Sequence, residues 1–340
     1  MSGTARKTPY KQLHPTVILD ATESIGHRCD GRLLALNSFE NRVYQVGLEN
    51  GTSLVVKFYR KGRWSQQAIL EEHQFTRELE ELEIPVSTPL ADATGRTLHS
   101  WQGFRFAVYA RCGGRAPDLE NHDHLERLGA ALGRIHAVGA TRPFQARPTL
   151  DVESFGVEPH RFLMDSGFIP ADLRAIYDAL MKELLRWIRH GFALAGPLHL
   201  IRLHGDCHSG NILWGEQGPM FVDFDDARMG PAIQDLWMCL SGDREEQGNQ
   251  FSALLKGYRR FHDFNPREVH LVESLRTLRM IHYAAWIARR WDDPAFPRAF
   301  PWFDAPRYWD HHIQSLREQI TLMQAPPLEW NPQAFTLSRY

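Results

Sequence analysis

Hydrophobic and polar residues alternate in three short runs near the start of the chain, and apolar residues recur at helical spacing through most of the rest. Arg32 to Leu36, Arg42 to Leu48 and Ser53 to Tyr59 read as strands. The turn-forming segments Asn37 to Asn41 and Glu49-Asn50-Gly51-Thr52 separate them, which predicts a three-stranded antiparallel meander. Ahead of it, after a polar start expected to be disordered, Pro15 to Gly26 has helical patterning closed by glycine. A second helix is expected over about Ser65 to Leu82, and Phe104 to Ala110 reads as a further apolar strand. Beyond Arg111-Cys112-Gly113-Gly114-Arg115 the pattern turns helical, over about 121 to 138, 171 to 193, 231 to 241, 247 to 262, 267 to 291 and 307 to 322, with Pro143, Pro148 and Pro170 breaking the interval between the first two. At 340 residues the chain exceeds one average core. The expected architecture is therefore α+β and bilobal: a small antiparallel-sheet lobe over residues 1–110, a hinge at 111–116, and a larger mainly helical lobe over 117–340.

Val55-Val56-Lys57-Phe58-Tyr59 sets one lysine in an otherwise apolar strand. Burying an ammonium without a partner is costly, so an anionic partner is expected. The next helix offers Glu71 and Glu72. Phe75, Leu79 and Leu82 mark its buried side, and three- and seven-residue offsets select Glu72.

The stretch from Leu203 to Asp226 carries the candidate chemistry. Phosphoryl transfer needs a carboxylate near the attacking hydroxyl and oxygen ligands holding a metal ion against the phosphates. The run His204-Gly205-Asp206, four residues, Asn211 has the spacing of a kinase catalytic loop, with Asp206 as base and Asn211 on the metal. Ile212-Leu213-Trp214, the turn Gly215 to Pro219, and Met220-Phe221-Val222 form a predicted hairpin that returns Asp223 beside Asn211. Asp223-Phe224-Asp225 stands where kinases carry Asp-Phe-Gly, whose Asp ligates magnesium. A rival reading gives His204, Asp206 and His208 to zinc or a hydrolytic metal pair.

Several surrounding features depend on that site. The turn at 37–41 lies where a nucleotide-covering loop belongs, yet it has no glycine, and no Walker A sequence occurs. It is either an anion-binding nest of backbone amides with the Ser38 hydroxyl or a plain hairpin turn. Backbone near Tyr109 to Arg111 is available to an adenine edge. Asp235 is expected to accept hydrogen bonds from the catalytic-loop backbone. The interval from Asp223 to Asp235 is too short for a long phosphorylatable activation segment. Arg276, Arg279, Tyr283, Trp286 and Arg290 fall on one helical face, suited either to an anionic or peptide substrate or to packing with solvated arginines.

Composition narrows the partners. The formal net charge of -2 gives no electrostatic case for nucleic acid or a membrane. Cys29, Cys112, Cys207 and Cys239 are far apart and form no C-x-x-C pair, so a reducing compartment is expected, with Cys207 a small buried filler. The apolar runs are far shorter than the ~20 residues a membrane span needs and the N-terminus lacks an apolar core segment, which points to the cytoplasm; a monomer is expected.

His204 to Asn211 (H-G-D-x-H-x-x-N) and Asp223 to Ala227 (D-F-x-D-A) resemble the signature of the aminoglycoside phosphotransferase and choline kinase family. Asn37 to Tyr44, Val55 to Arg60, Glu71 to Phe75 and Asp223 to Trp237 resemble one branch of it, bacterial stress-response protein kinases, from about Leu13 to Pro327. The resemblance implies a protein-kinase-like fold and phosphorylation of protein Ser/Thr, possible self-phosphorylation included, using ATP and Mg2+ in envelope or oxidative stress. Carried onto matching positions, it makes Asp206 the proton acceptor, Asn211 and Asp223 the magnesium ligands, and Ser38 and Lys57 ATP contacts. Asp225 and Asp226 beside the site support the alternative of a small-molecule kinase acting on a cationic alcohol such as an aminoglycoside or choline. A nucleotide-binding module without catalysis would leave Asp206 without a role.

Overall fold

Alternation along one strand sets the layout around the candidate lysine. In the computed structural model, which describes residues 9–331, α1 (Pro15–Glu23) precedes a sheet of β1 (Cys29–Ala35), β2 (Arg42–Leu48) and β3 (Ser53–Phe58). The start expected to be disordered falls in residues 1–8, outside the described residues. Then come α2 (Gln66–Glu81), β4 (His99–Trp101) and β5 (Phe104–Ala110). The expected meander is present within a five-stranded sheet of order β1-β2-β3-β5-β4, all antiparallel. Three-residue β4 is too short to show a period.

Val56 and Phe58 point to one face, where Val46, Phe106 and Val108 pack with Val17, Ile18 and Ala21 of α1. Each such buried side chain contributes roughly 1.5–3 kcal/mol. Side chains in a strand change face at every residue, so Lys57 and Tyr59 turn the other way. On that face Tyr59 and Ala107 meet Ile69 of α2. The Ser65 side chain accepts from the Ala68 amide and caps α2.

The chain separates into two compact units. The first comprises the chain up to Pro117 together with Pro143–Arg147 and His208–Ala227. Its later segments join by backbone bonds: the Ser87 and Phe221 amides donate to Phe221 and Pro85 carbonyls, and Arg115 pairs with Trp214. The second unit takes Asp118–Arg142, Pro148–Cys207 and the chain from Arg228 onward. It is built from α3 (His122–Gly139), α4 (Glu158–Ser166), α5 (Arg174–Ala195), α6 (Ile233–Trp237), α7 (Arg244–Tyr258), α8 (Val272–Ala288), α9 (Ala295–Ala299) and α10 (Pro306–Gln324). A two-strand ladder of Ile201–Leu203 with Arg228–Gly230 brackets the catalytic-loop segment.

Several elements differ from expectation, two of them near the helical unit's core. The helix expected from 267 begins as a 3-10 stretch, Pro266–Leu271, whose amide at Arg267 is capped by Asn265. A single π turn, Glu153–Val157, runs into α4 in the interval the prolines were expected to break; Pro159 sits in the first turn of that helix, where a missing N–H costs nothing.

Glycines bring α3 and α7 into close contact. A Cβ at Gly129 would run into the Leu254 carbonyl, and one at Gly257 into the Glu126 carbonyl. Gly129→Ala is therefore expected to cost about 1–3 kcal/mol as overpacking, read as a lowered urea midpoint; an unchanged midpoint would show that the helices can separate freely. Among the described residues no helix is long and apolar enough to cross a membrane.

Candidate active site

In the first unit, Lys57 is buried among three carboxylates. Its Nζ lies 2.8 Å from Asp223 Oδ1, 3.2 Å from Asp225 Oδ1 and 3.7 Å from Glu72 Oε1. Burial alone would push the ammonium's pKa down, but Asp223, Asp225 and Glu72 together hold it well above its ordinary value. The closest partner is thus Asp223, at closer range than the Glu72 that helical spacing selects.

Glu72 has a nearer cation of its own. Arg147 Nη2 donates to Glu72 Oε2 at 2.9 Å, Nη1 to the carbonyls of Asp225 and Ala227 at 2.8 Å each, and Nε to the Ala68 carbonyl at 2.8 Å. Burial raises the Glu72 pKa, and Lys57 and Arg147 only partly offset it. Beside it, Glu71 accepts from the backbone amides of Gln145, Ala146 and Arg147. Sequence reading missed Arg147 altogether. A lone arginine between two prolines carries no periodic signal, and its partners lie 75 to 80 residues away.

Asp225 is buried, facing Lys57 and, at 3.2 Å, Arg63 Nε. Burial would raise its pKa, but Lys57 and Arg63 pull it down to about 2. Asp226 is paired at 2.8 Å with Arg63 Nη2. Both carboxylates share these cations with Asp223, Glu72 and Glu40.

Asn211 and Asp223 come from the two ends of the expected hairpin, Ile212–Gly215 paired with Gly218–Phe221. The Val222 amide donates to the Asn211 carbonyl at 2.9 Å, which sets Asn211 next to Asp223. Asp223 has left-handed backbone, φ 60° and ψ 65°, and a half-exposed carboxylate. Such strain at a non-glycine residue is characteristic of functional positions. An amide oxygen and a carboxylate are hard donors that suit magnesium, which is held by one or two carboxylates plus phosphate oxygens. Ser38 lies in the 37–41 loop, where its hydroxyl donates to the Asn41 carbonyl. Arg42 binds the Phe39 and Asn41 carbonyls and Arg60 the Glu40 carbonyl, so arginines take the loop's carbonyl side.

Asp206 belongs to the second unit, where its loop is tied down from behind. The His204 and Gly205 amides donate to the two oxygens of Asp235 at 2.8 and 2.9 Å, the bonds expected of that residue. Asp235 also pairs with His136 Nε2 at 3.1 Å, and His136 Nδ1 meets the Tyr258 hydroxyl at 2.9 Å. Gly205 has φ +85°, a conformation that explains glycine between His204 and Asp206. Cys207 is buried, the filler expected, and burial pushes its thiol pKa well up. The Asp206 carboxylate is ion-paired with Arg279 of α8.

In the residues of the zinc alternative, one ring nitrogen of each histidine is engaged by the backbone. His204 Nδ1 accepts from the Asp206 amide and His208 Nδ1 from the Gly210 amide. Among the described residues no three His, Cys, Asp or Glu side chains are arranged to hold a metal ion. The arginine stripe divides. Arg279 reaches Asp206, Arg276 lies over Trp237 and beside Glu273, and Arg290 lies over Trp286.

Comparison with known proteins agrees with this chemistry. Residues 32–272 match the model of the phosphotransferase enzyme family, APH. The chain belongs to the phosphotransferase enzyme family. Within it, the chain is 45% identical over 327 residues, 95% of its length and 97% of the relative's, to stress response kinase A of Escherichia coli O157:H7. It is 43% identical, at the same coverage, to the serine/threonine protein kinase RdoA of Salmonella typhimurium LT2. Solved structures share the kinase-like fold at low identity. Amicoumacin kinase hAmiN, in complex with AMP-PNP, Ca2+ and Ami, aligns with TM-score 0.72 at 19% identity over 95% of this chain and 96% of that one. A microcompartment-associated aminopropanol kinase aligns with TM-score 0.69 at 17% identity over 89% and 98%. Phosphotransferase chemistry is therefore the activity of this family member, on an α+β kinase-like fold.

Proposed function

We propose that this phosphotransferase moves the γ-phosphoryl group of ATP to Ser and Thr hydroxyls of proteins, in the cytoplasm and in a stress response. Support comes from relatives 43 to 45% identical over 95% of the chain, whose names carry that role. The observation that weighs most is electrostatic. A guanidinium rests on Asp206, a charge that disfavours a cationic alcohol at the base.

Lys57, fixed by Glu72 and Asp223, supplies positive charge to the phosphates, and Ser38 adds a hydroxyl donor from its loop. Asn211 and Asp223 would hold magnesium, which would offset the charge of the phosphates when bound. Asp206, five residues before Asn211 in the chain, accepts the hydroxyl proton as the acceptor oxygen bonds to the γ-phosphorus and the electron pair of the broken bridging bond leaves with ADP.

Incubating the protein with labelled ATP and magnesium, with a bacterial lysate in one arm and choline, aminopropanol and aminoglycosides in the other, tests the proposal. Label is expected in proteins. Turnover of a small alcohol with no labelled protein would reverse it.

A further inference from the structure

We propose that Arg279 selects the phosphoacceptor by binding a carboxylate beside the acceptor hydroxyl, so that the enzyme prefers Ser and Thr flanked by acidic residues. This rests on the protein-kinase reading and deepens it. Nothing in the motifs around Asp206 and Asp223 requires a guanidinium on the base, yet α8 places one there, ion-paired with the Asp206 carboxylate. In that position it meets whatever group accompanies the hydroxyl that Asp206 deprotonates.

The pair is built to exchange. The Arg279 and Asp206 side chains are 40% and 25% exposed, so water screens the contact and little is lost when one carboxylate replaces another. An arriving Glu or Asp takes the guanidinium and releases Asp206 from it. An acceptor with a lysine or ammonium there is repelled by Arg279 and leaves Asp206 engaged.

The surroundings suit a polypeptide. One turn along α8, Tyr283 is 41% exposed and feels the Arg279 charge. Its ring stacks on Trp286, with centroids 5.6 Å apart and planes at 17°, and meets Phe300 edge-on. Trp302, also 41% exposed, packs on Phe300. An aromatic surface next to a guanidinium offers apolar contact and charge to an extended acidic segment.

Three serine peptides differing only in whether Glu, Ala or Lys flanks the serine, assayed with the full chain, labelled ATP and magnesium, decide the matter through kcat/KM. The wild type is expected to favour the Glu peptide over the Lys peptide roughly tenfold or more. Arg279→Glu should invert the order, Arg279→Gln should bring the ratio near one, and Arg279→Lys should preserve its direction. If Arg279 merely holds Asp206 in place, all three peptides fall by the same factor in each variant and the assignment is overturned. An absent wild-type preference overturns it too. Failure of every peptide to be labelled removes the protein-kinase reading and this one with it, whereas labelling with an unaltered ratio in Arg279→Glu sinks the role of Arg279 alone.

Discussion

Asp206→Asn is expected to lower phosphoryl transfer by about 10^3-fold, within the ~10^2 to 10^4 that a positioned general base supplies, while leaving ATP affinity within about threefold. Asparagine keeps the shape and an oxygen for Arg279 but cannot take a proton. Its loop stays anchored, because the Asp235 bonds come from the His204 and Gly205 backbone and not from the Asp206 side chain. The residues assigned to the phosphates, Lys57 and Ser38, belong to the first unit and are untouched. Single-turnover assays with labelled ATP, beside a calorimetric nucleotide titration, give the two numbers. Transfer within tenfold of wild type would remove Asp206 as the base; a matching loss of ATP affinity would assign it to binding instead.

How far the site could be read from sequence follows from the range of its interactions. Lys57 stands out because one charged residue interrupts an apolar alternation, and the sheet register then fixes which face it takes. Asn211 and Asp223 are joined by a ten-residue hairpin whose turn chemistry is local. Asp235 is legible as an acid opening an apolar helix. What escapes is long-range. Arg147 contributes nothing to any period, and only the fold brings it to Glu72. The hairpin's membership of the first unit depends on pairings of Val86 with Phe221 and Arg115 with Trp214, which patterning within a window cannot express. The same limit hides the surroundings of Asp225: its position in the motif is plain, but its cationic partners Lys57 and Arg63 are 168 and 162 residues away in sequence.

Arg147→Ala is expected to be the most destabilising of these substitutions, at roughly 3–5 kcal/mol, the cost of stripping one partner from a buried ion pair. The side chain is fully buried and fills four acceptors: Glu72, Asp225, Ala227 and Ala68. Without it, Glu72 keeps the ion pair with Lys57, at 3.7 Å, among the described residues. Arg147→Lys should recover little, because one ammonium cannot reproduce a planar fork serving four oxygens in fixed directions. The deficit should also depend on pH with a definite sign. Burial already raises the Glu72 pKa, with Arg147 among the charges that oppose the rise, so the variant raises it further. A carboxyl with a raised folded-state value contributes stability below its unfolded value of 4.5 and loses it as pH climbs through the folded one. Arg147→Ala should therefore lie closest to wild type near pH 5 and fall further behind at pH 8, as read by urea unfolding at each pH. Adding Glu72→Leu should restore part of the loss at pH 8, since it removes the stranded charge. A deficit that is flat with pH, or deepened by the second substitution, would mean that Arg147 acts through packing and its three carbonyl bonds, with the carboxylate incidental. Weaker ATP binding in Arg147→Ala would then have to arise from the Asp225 to Ala227 backbone, not from Lys57 losing a well-placed Glu72.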